Sequence, residues 1–271
     1  MNRRHILRMA GATGLGLAGS FLPKPVMAAA RVFDADYFRK MHKFEYDHPT
    51  DLLINGADLA LLERVAGHLK RVQRTVGYGN FHLLGFDYML KIARNYSRVQ
   101  RFSRDELEFI ERVFYQDATV YGFYGEKVSG RLTEIVPRRA MVKIRGSGQY
   151  IYRGKPEATY HSLRREVGKK LILSSGVRGV VKQLYLFLDK ARRSQGNLSR
   201  ASRSLAPPGY SFHGIGDFDV GQRGYGKLNF TRTFAKSEVY RRLGELGYLR
   251  VRYPDGNLKG VRYEPWHIKV T

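Results

Sequence analysis

Two short segments near the C-terminus constrain the fold more than any other feature of this chain. One covers residues 210–221 and contains His213, and the other is Glu264-Pro265-Trp266-His267. Together they offer two imidazoles, two carboxylates in the first segment and a separate glutamate in the second. Because the chain has eight His and no Cys, a metal site in it would use N and O ligands. Three such ligands and one open position are typical of catalytic zinc sites, so we expect a fold that brings the two segments together.

Residues 1–30 have the pattern of an export signal. Arg3-Arg4 lies in a short basic region, residues 9–22 are weakly apolar and rich in Gly and Ala, and Val26-Met27-Ala28 offers small residues before a cleavage point. This pattern is typical of twin-arginine signals in bacteria. The alternative is a buried first helix, which the four glycines of the apolar stretch disfavour. The sequence therefore predicts a periplasmic or otherwise extracytoplasmic protein.

The chain is strongly basic. Its formal net charge is +24, and the predicted signal contributes four basic residues and no acidic one, which leaves +20 for the mature part. Such a surplus attracts polyanions. For an exported protein these would be cell-wall polymers or anionic lipid headgroups, and no nucleic-acid partner is expected. The alternative is a solvated basic surface without a specific partner.

The pattern of apolar residues changes along the chain. Apolar residues recur at helical spacing over 59–76 and after Ser103-Arg104-Asp105-Glu106, which has the pattern of a capping box, so three or more packed amphipathic helices are predicted. From Tyr121 onwards glycines recur and short β-rich runs appear. The predicted strands cover 141–144, 150–152, 171–173, 248–253 and 261–270, and the predicted helices cover 157–168, 180–193 and 237–246.

These elements interleave without regular βαβ spacing, which favours an α+β fold over a doubly wound sheet. The predicted architecture is a small antiparallel sheet with flanking helices that carries the metal site, preceded by a mainly helical N-terminal region. The predicted domains are an export signal at 1–30, a helical region at 31–130 and a catalytic domain at 131–271.

The His213 segment has features that suit a metal site. Gly214 and Gly216 allow the backbone to fold back over the strand that follows. Asp217 and Asp219 flank Phe218. Only one of the two carboxylates can bind a metal together with His213. An ordinary histidine in a glycine-rich turn is the alternative interpretation.

The second segment needs a break in strand geometry. Glu264 and His267 are three residues apart, so in a regular strand they would point to opposite faces. Pro265 removes a backbone donor and favours such a break. The alternatives are an ordinary surface acid and a tryptophan that only packs in the core.

Three motifs resemble a known family. Ser211-x-His213-x-x-Gly216 running into an Asp, the later Glu264-x-Trp266-His267, and the upstream Ser175-Gly176-Val177-Arg178 are similar to the motifs of VanY/VanX-type D-alanyl-D-alanine zinc carboxypeptidases and dipeptidases. That family shares its fold with lysostaphin-type peptidases and the hedgehog signalling domain. The likeness covers about residues 170–271.

The resemblance implies a role for each matching residue. His213, Asp219 and His267 would be the Zn²⁺ ligands, and Glu264 would be the general base. Arg178 would stabilise the developing oxyanion, and Ser211 would bind the substrate near its C-terminus. Asp219 lies one residue closer to the histidine than the family spacing, but its surroundings match better than those of Asp217.

The function implied by the resemblance is that of an exported zinc D,D-carboxypeptidase that removes the terminal D-Ala from peptidoglycan stem peptides. Two alternatives are kept. One is a D,D-dipeptidase or a peptidoglycan endopeptidase. The other is a non-catalytic protein that binds an anionic cell-wall or nucleic-acid polymer.

Overall fold

The computed structural model describes residues 33–54 and 56–271. The predicted export signal lies outside these residues. Asp34–Thr271 cluster into one unit by their contacts. Within the described residues, no helix is both long enough and apolar enough to cross a membrane.

The first part of the described chain is helical, as predicted. Its helices are α1 Ala35–His42, α2 Gly56–Val76, α3 Tyr78–Phe81, α4 Phe86–Asn95 and α5 Arg104–Tyr115. The predicted capping box begins α5: the Glu106 amide donates to Ser103 Oγ, and the Ser103 amide donates to a Glu106 carboxylate oxygen. These two bonds satisfy amides that the first turn of a helix leaves without partners.

The second part combines strands and helices. Its elements are β1 Met141–Lys143, β2 Tyr150–Tyr152, α6 Lys155–Val167, β3 Leu171–Ser175, α7 Val180–Arg193, α8 Leu198–Ser202, β4 Phe218–Gln222, α9 Glu238–Glu245 and β5 His267–Ile268. The prediction for α7 is confirmed at both ends. Those for α6 and α9 are confirmed to within one or two residues.

The two long strands predicted at 248–253 and 261–270 are wrong. Only His267–Ile268 forms a strand there, and Val251 makes an isolated bridge to Ile268. Pro254 lacks an amide donor, and Gly256 and Gly260 have φ near +74°. These residues turn the backbone away from extended geometry, so a continuous ladder cannot form.

A three-stranded antiparallel sheet positions the candidate site. Its order is β3-β4-β5, and β1 and β2 form a separate antiparallel pair. Asp219 on β4 lies opposite Ser175 on β3 and opposite His267 on β5. Directly opposed residues in a sheet share a face, so these three side chains are neighbours by register.

Two large apolar clusters stabilise the unit. One joins the N-terminal helices to α7, with Leu62 of α2 and Phe187 of α7 both fully buried in it. The other lies beneath the sheet and includes Phe218 and Trp266. The observed α+β architecture, with its small antiparallel sheet and helical N-terminal region, confirms the predicted fold class. The division at residues 130 and 131 stays a prediction, although α7 packs against α2 from beyond it.

Candidate metal centre and active-site cleft

His213 is held in a fixed orientation. It lies in a 3₁₀ turn, Phe212–Gly214, and is buried. Its Nδ1 lies 2.8 Å from the Gly176 carbonyl oxygen and donates a hydrogen bond to it. Since Nδ1 carries the proton, Nε2 presents a lone pair, as a metal ligand requires.

Gly176 is required for this arrangement. A Cβ atom there would collide with the Tyr150 carbonyl oxygen. Gly216 has φ +141°, and a Cβ there would lie 2.9 Å from a methyl group of Thr271. Both glycines therefore allow close approaches of the backbone that a larger residue would prevent.

Asp219 is the carboxylate beside His213. Its Oδ1 lies 3.2 Å from His213 Nε2, and its Oδ2 accepts a hydrogen bond of 2.7 Å from Arg178 Nη2. Arg178 Nε also donates to Ser175 Oγ at 3.0 Å. The guanidinium is thus anchored at the edge of the site by two contacts, one of them to the carboxylate.

Glu264 and His267 are brought to the same side by a turn. The His267 amide donates to the Glu264 carbonyl at 3.2 Å, and Pro265 and Trp266 form the bend between them. As a result His267 Nδ1 lies 3.3 Å from Glu264 Oε2 and 3.7 Å from Asp219 Oδ1. The break that Pro265 favours is present.

Asp217 occupies a different place from Asp219. Its Oδ2 lies 3.2 Å from His267 Nε2 and accepts from Arg252 Nε at 2.7 Å. Its Oδ1 accepts from the Val270 amide at 2.9 Å. Asp217 is therefore behind His267, on the far side of the imidazole from Asp219.

Three side chains could hold a metal ion. One ligand atom from each of His213, Asp219 and His267 can be chosen so that all three atoms lie within 4.8 Å of one another. His213 Nε2 and Asp219 Oδ1 are buried and have no hydrogen-bond partner among the described residues. Buried polar atoms without partners are costly, and a cation among these atoms would satisfy them. Two imidazoles and a carboxylate suit Zn²⁺, so the residues fit the metal.

The charges of His213 and Asp219 are also suited to a cation, whereas His267 must lose a proton before it can bind one. Burial lowers the pKa of His213, and the nearby Arg178 guanidinium lowers it further, so the ring is neutral. Burial opposes ionisation of Asp219, but the cations beside it, including Arg178, lower its pKa to about 2. Burial would also lower the pKa of His267, but its hydrogen bonds to Asp217 and Glu264 raise it to about 9.

Residues 159–270 match the sequence model of the VanY family, described as D-alanyl-D-alanine carboxypeptidase. This segment is a VanY-type domain. It contains all five residues of the centre, Arg178, His213, Asp219, Glu264 and His267. None of the curated proteins matches the chain.

Solved structures with partial likeness to the VanY-type domain come from peptidases. A mutant of the vancomycin-resistance D,D-pentapeptidase VanY from a VanB-type resistance cassette, in complex with Zn(II), is 25% identical over 53% of this chain and 85% of its own, with a TM-score of 0.39. VanYB in complex with D-alanine-D-alanine is 23% identical over 55% of this chain and 85% of its own, with a TM-score of 0.42. The LdcB LD-carboxypeptidase is 24% identical over 45% of this chain and 59% of its own, with a TM-score of 0.37.

A cleft of about 510 Å³ opens beside the centre of the VanY-type domain. Arg178, Asp219 and Glu264 contribute to its wall. Its other cationic lining residues are Lys182, Lys190, Arg193 and Arg262. A basic cleft of this kind attracts anionic substrates.

Ser211 does not contribute to the described lining of this cleft. It is buried and precedes the 3₁₀ turn that carries His213. Its predicted role in substrate binding stays a prediction.

Several neighbours of the centre were missed by sequence reasoning. Arg252 pairs with Asp217 from 35 residues away, and no spacing in the sequence indicates that contact. His82 lines the cleft although it lies in the helical region before the VanY-type domain. Its backbone carbonyl accepts from the Gly179 amide at 2.8 Å, a long-range contact that local patterns do not reveal.

Proposed function

We propose that this protein is an exported zinc-dependent D,D-carboxypeptidase that removes the terminal D-alanine from peptidoglycan stem peptides. The observation that carries the proposal is the convergence of His213, Asp219 and His267, with Glu264 beside them, inside a VanY-type domain. A base and three candidate ligands in one buried place are the requirements of a hydrolytic metal site.

Different side chains would bind the metal and transfer the proton during hydrolysis. His213, Asp219 and His267 would hold Zn²⁺, which when bound polarises a carbonyl and lowers the pKa of water to about 7. Glu264 takes a proton from the attacking water as the oxygen bonds to the scissile carbonyl carbon. It then gives that proton to the leaving nitrogen as the C–N bond breaks. A positioned acid–base group contributes about 10²–10⁴-fold to the rate.

Arg178 stabilises the negative charge that develops on the carbonyl oxygen. Its contacts with Ser175 and Asp219 use Nε and Nη2 and fix the plane of the guanidinium. Nη1 makes no hydrogen bond within the described part of the chain and is available to an oxyanion. A single preorganised donor of this kind is worth about 10²–10³-fold in rate.

The substrate and the compartment follow from the same proposal. The VanYB structure is a complex with D-alanine-D-alanine, which supports a substrate with that terminus here. Such peptides belong to the bacterial cell wall, so we place the protein outside the cytoplasm, exported by the twin-arginine signal proposed for residues 1–30. The formal net charge of +20 that remains without residues 1–30 also favours contact with anionic wall polymers or lipid headgroups.

One experiment tests the proposal. The mature protein is purified, its zinc content is measured, and release of D-alanine from muropeptides is followed before chelation, after chelation and after zinc is restored. Mass spectrometry separates loss of one alanine from loss of a dipeptide or separation of cross-linked strands. Loss and recovery of single-alanine release with zinc supports the proposal. Protein that holds zinc yet cleaves no D,D-terminated peptide would refute it.

A further inference from the structure

A second cavity, the β3 groove, has a volume of about 700 Å³ and follows the strand β3. Its lining includes residues 171–174 of β3, Phe230 and three arginines, Arg145, Arg164 and Arg223. Ser174 and Phe230 also line the cleft beside the centre. The groove and the cleft therefore share a wall, and a ligand of sufficient length can occupy both.

The arginines of the β3 groove have no carboxylate partner. No Asp or Glu of the described chain contributes to the lining, and no described carboxylate lies within ion-pair distance of Arg145, Arg164 or Arg223. Arg164 Nη1 instead donates to the Gly168 carbonyl at 2.6 Å. The next residue of α6, Arg165, lies 3.7 Å from a glutamate oxygen. Three guanidiniums without counter-ions attract an anion, and their planar forks suit a carboxylate.

Ser174 supplies an independent observation at the shared wall. Leu173 pairs with Val220 and Ser175 pairs with Asp219, so Ser174 is the extra residue of a β-bulge. Bulges beside functional sites redirect a side chain. The Ser174 Oγ is buried and has no hydrogen-bond partner among the described residues. A buried hydroxyl without a partner is costly, and a ligand that passes from the cleft into the groove would satisfy it.

The length of β3 decides which part of a substrate can reach the groove. Ser175 lies opposite Asp219 of the centre, and Leu171 is four residues away along the strand. Four residues of a strand span about 13 Å. In the substrate of a carboxypeptidase a single residue follows the scissile bond, and one residue spans at most about 3.6 Å. The groove is therefore within reach only of the peptide on the N-terminal side of that bond.

We propose that the β3 groove binds an acidic residue of the substrate peptide on the N-terminal side of the scissile bond. The peptide extends along β3, and its main chain bonds to the Ser174 hydroxyl. The carboxylate of a residue two to four positions before the bond contacts Arg145, Arg164 and Arg223. The inference deepens the proposed function and rests on it, because it names the class of stem peptide, one with a free upstream carboxylate, that the protein prefers.

The test uses N-acetylated peptides that end in D-Ala-D-Ala and differ at one upstream position. Each peptide carries either Glu or Gln at the second, third or fourth residue before the scissile bond, with Ala at the others. For each, kcat/KM is measured with the zinc-loaded protein, and binding to the chelated protein is measured by NMR titration. The wild type should prefer Glu over Gln about tenfold at one of these positions, the size of one hydrogen bond to a charged group.

Variants of the arginines separate recognition from general charge. The triple variant Arg145→Gln, Arg164→Gln, Arg223→Gln should reduce the preference for Glu to near one. Arg153→Gln and Arg165→Gln are the matched controls and should keep the wild-type preference. Each removes the same charge from an exposed residue outside the groove lining, Arg153 after β2 and Arg165 in α6.

Ser174→Ala tests the contact at the shared wall. It should weaken the Glu and Gln peptides about equally, because the hydroxyl bonds to the main chain. Urea unfolding should give the same stability as the wild type, since the hydroxyl has no partner within the described protein. Unchanged binding of both peptides would remove Ser174 from the groove contacts. Circular dichroism of every variant checks that the protein remains folded.

The short peptide N-acetyl-D-Ala-D-Ala, which cannot reach the groove, distinguishes this inference from the function. If the wild type releases D-alanine from it but prefers Glu at none of the three positions, the inference is wrong and the proposed function stands. Retention of the preference in the triple variant, or its equal loss in Arg153→Gln, would also overturn the inference. If the zinc-loaded wild type cleaves no D,D-peptide, the proposed function fails, and the NMR titration alone decides whether the groove binds acidic peptides.

Discussion

Asp217 Oδ2 lies 3.2 Å from Nε2 of His267, on the opposite side of the imidazole from the centre. The carboxylate accepts a hydrogen bond from the N–H at Nε2. The other ring nitrogen, Nδ1, therefore faces Asp219 and Glu264. A carboxylate behind a ligating histidine fixes the tautomer and makes the ring a stronger ligand. Asp217 is itself fixed by Arg252 and by the Val270 amide.

This relationship predicts that Asp217→Asn weakens zinc binding without removing a ligand. We expect the affinity to fall about 10–100-fold, the usual cost of losing such a partner. Competition with a chromophoric chelator measures it. Asp255→Asn is the control, because Asp255 is exposed and pairs with Arg232 away from the centre. If Asp219→Asn costs less zinc affinity than Asp217→Asn, the two aspartates have been given the wrong roles.

Structural features that depend on residues close together in the chain could be predicted from the sequence. The capping box of α5 and the limits of α7 depend on residues close together in the chain, and both predictions are confirmed. Pro265 between Glu264 and His267 likewise favoured the turn that the structure contains. The motif surroundings of Asp219 favoured the carboxylate that the structure places beside His213.

Long-range contacts were not predictable in the same way. The strands expected at 248–253 and 261–270 failed because neighbouring residues with positive φ and packing against the rest of the chain decide their geometry. Arg262, for example, donates its amide to the Arg203 carbonyl rather than to a strand. The placement of His82 in the wall of the cleft depends on how the helical region packs against α7, which no local pattern encodes.

Glu264→Gln should retain zinc but lose hydrolysis. The amide keeps the shape of the side chain but cannot take a proton from water, so kcat should fall by about 10²–10⁴-fold. Zinc content by atomic emission and D-alanine release from muropeptides are measured on the same preparation. Glu238→Gln is a suitable control, because Glu238 is an exposed acid that pairs with Lys170. Cleavage at the wild-type rate by the Glu264→Gln protein would remove Glu264 from the mechanism.

Replacing Arg178 tests whether its geometry matters as well as its charge. Arg178→Ala should lower kcat by about 10²–10³-fold, the value of one oxyanion donor. Arg178→Lys keeps the charge, but a single ammonium cannot reproduce the fork that binds Ser175 and Asp219 together, so most of the loss should persist. Steady-state kinetics on one D,D-peptide measures both. Full activity in the lysine variant would show that a cation alone is sufficient.

A buried ion pair away from the centre gives a prediction for acid stability. Arg203 contacts both oxygens of Asp51, at 2.6 Å and 2.9 Å, and both side chains are almost completely buried. Burial opposes ionisation of Asp51, but its hydrogen bonds from Arg203 and Asn197 lower its pKa below the usual value of 3.8. Because the folded-state pKa is the lower one, the pair contributes fully above the unfolded pKa. The contribution is lost as the pH falls through the folded-state value.

Asp51→Asn should therefore destabilise the protein by about 3–5 kcal/mol at pH 7, since it leaves a buried guanidinium without a charged partner. The difference from the wild type should begin to shrink below about pH 4, where the carboxylate of the unfolded chain becomes protonated, and should shrink further as the pH falls towards the folded-state pKa. Urea unfolding at pH 7, 5 and 3 measures the free energy of unfolding of each protein. Asp36→Asn is the control, because Asp36 forms exposed pairs within α1 that contribute little. A destabilisation that is the same at all three pH values would mean that Asp51 acts through its shape and neutral hydrogen bonds, not through its charge.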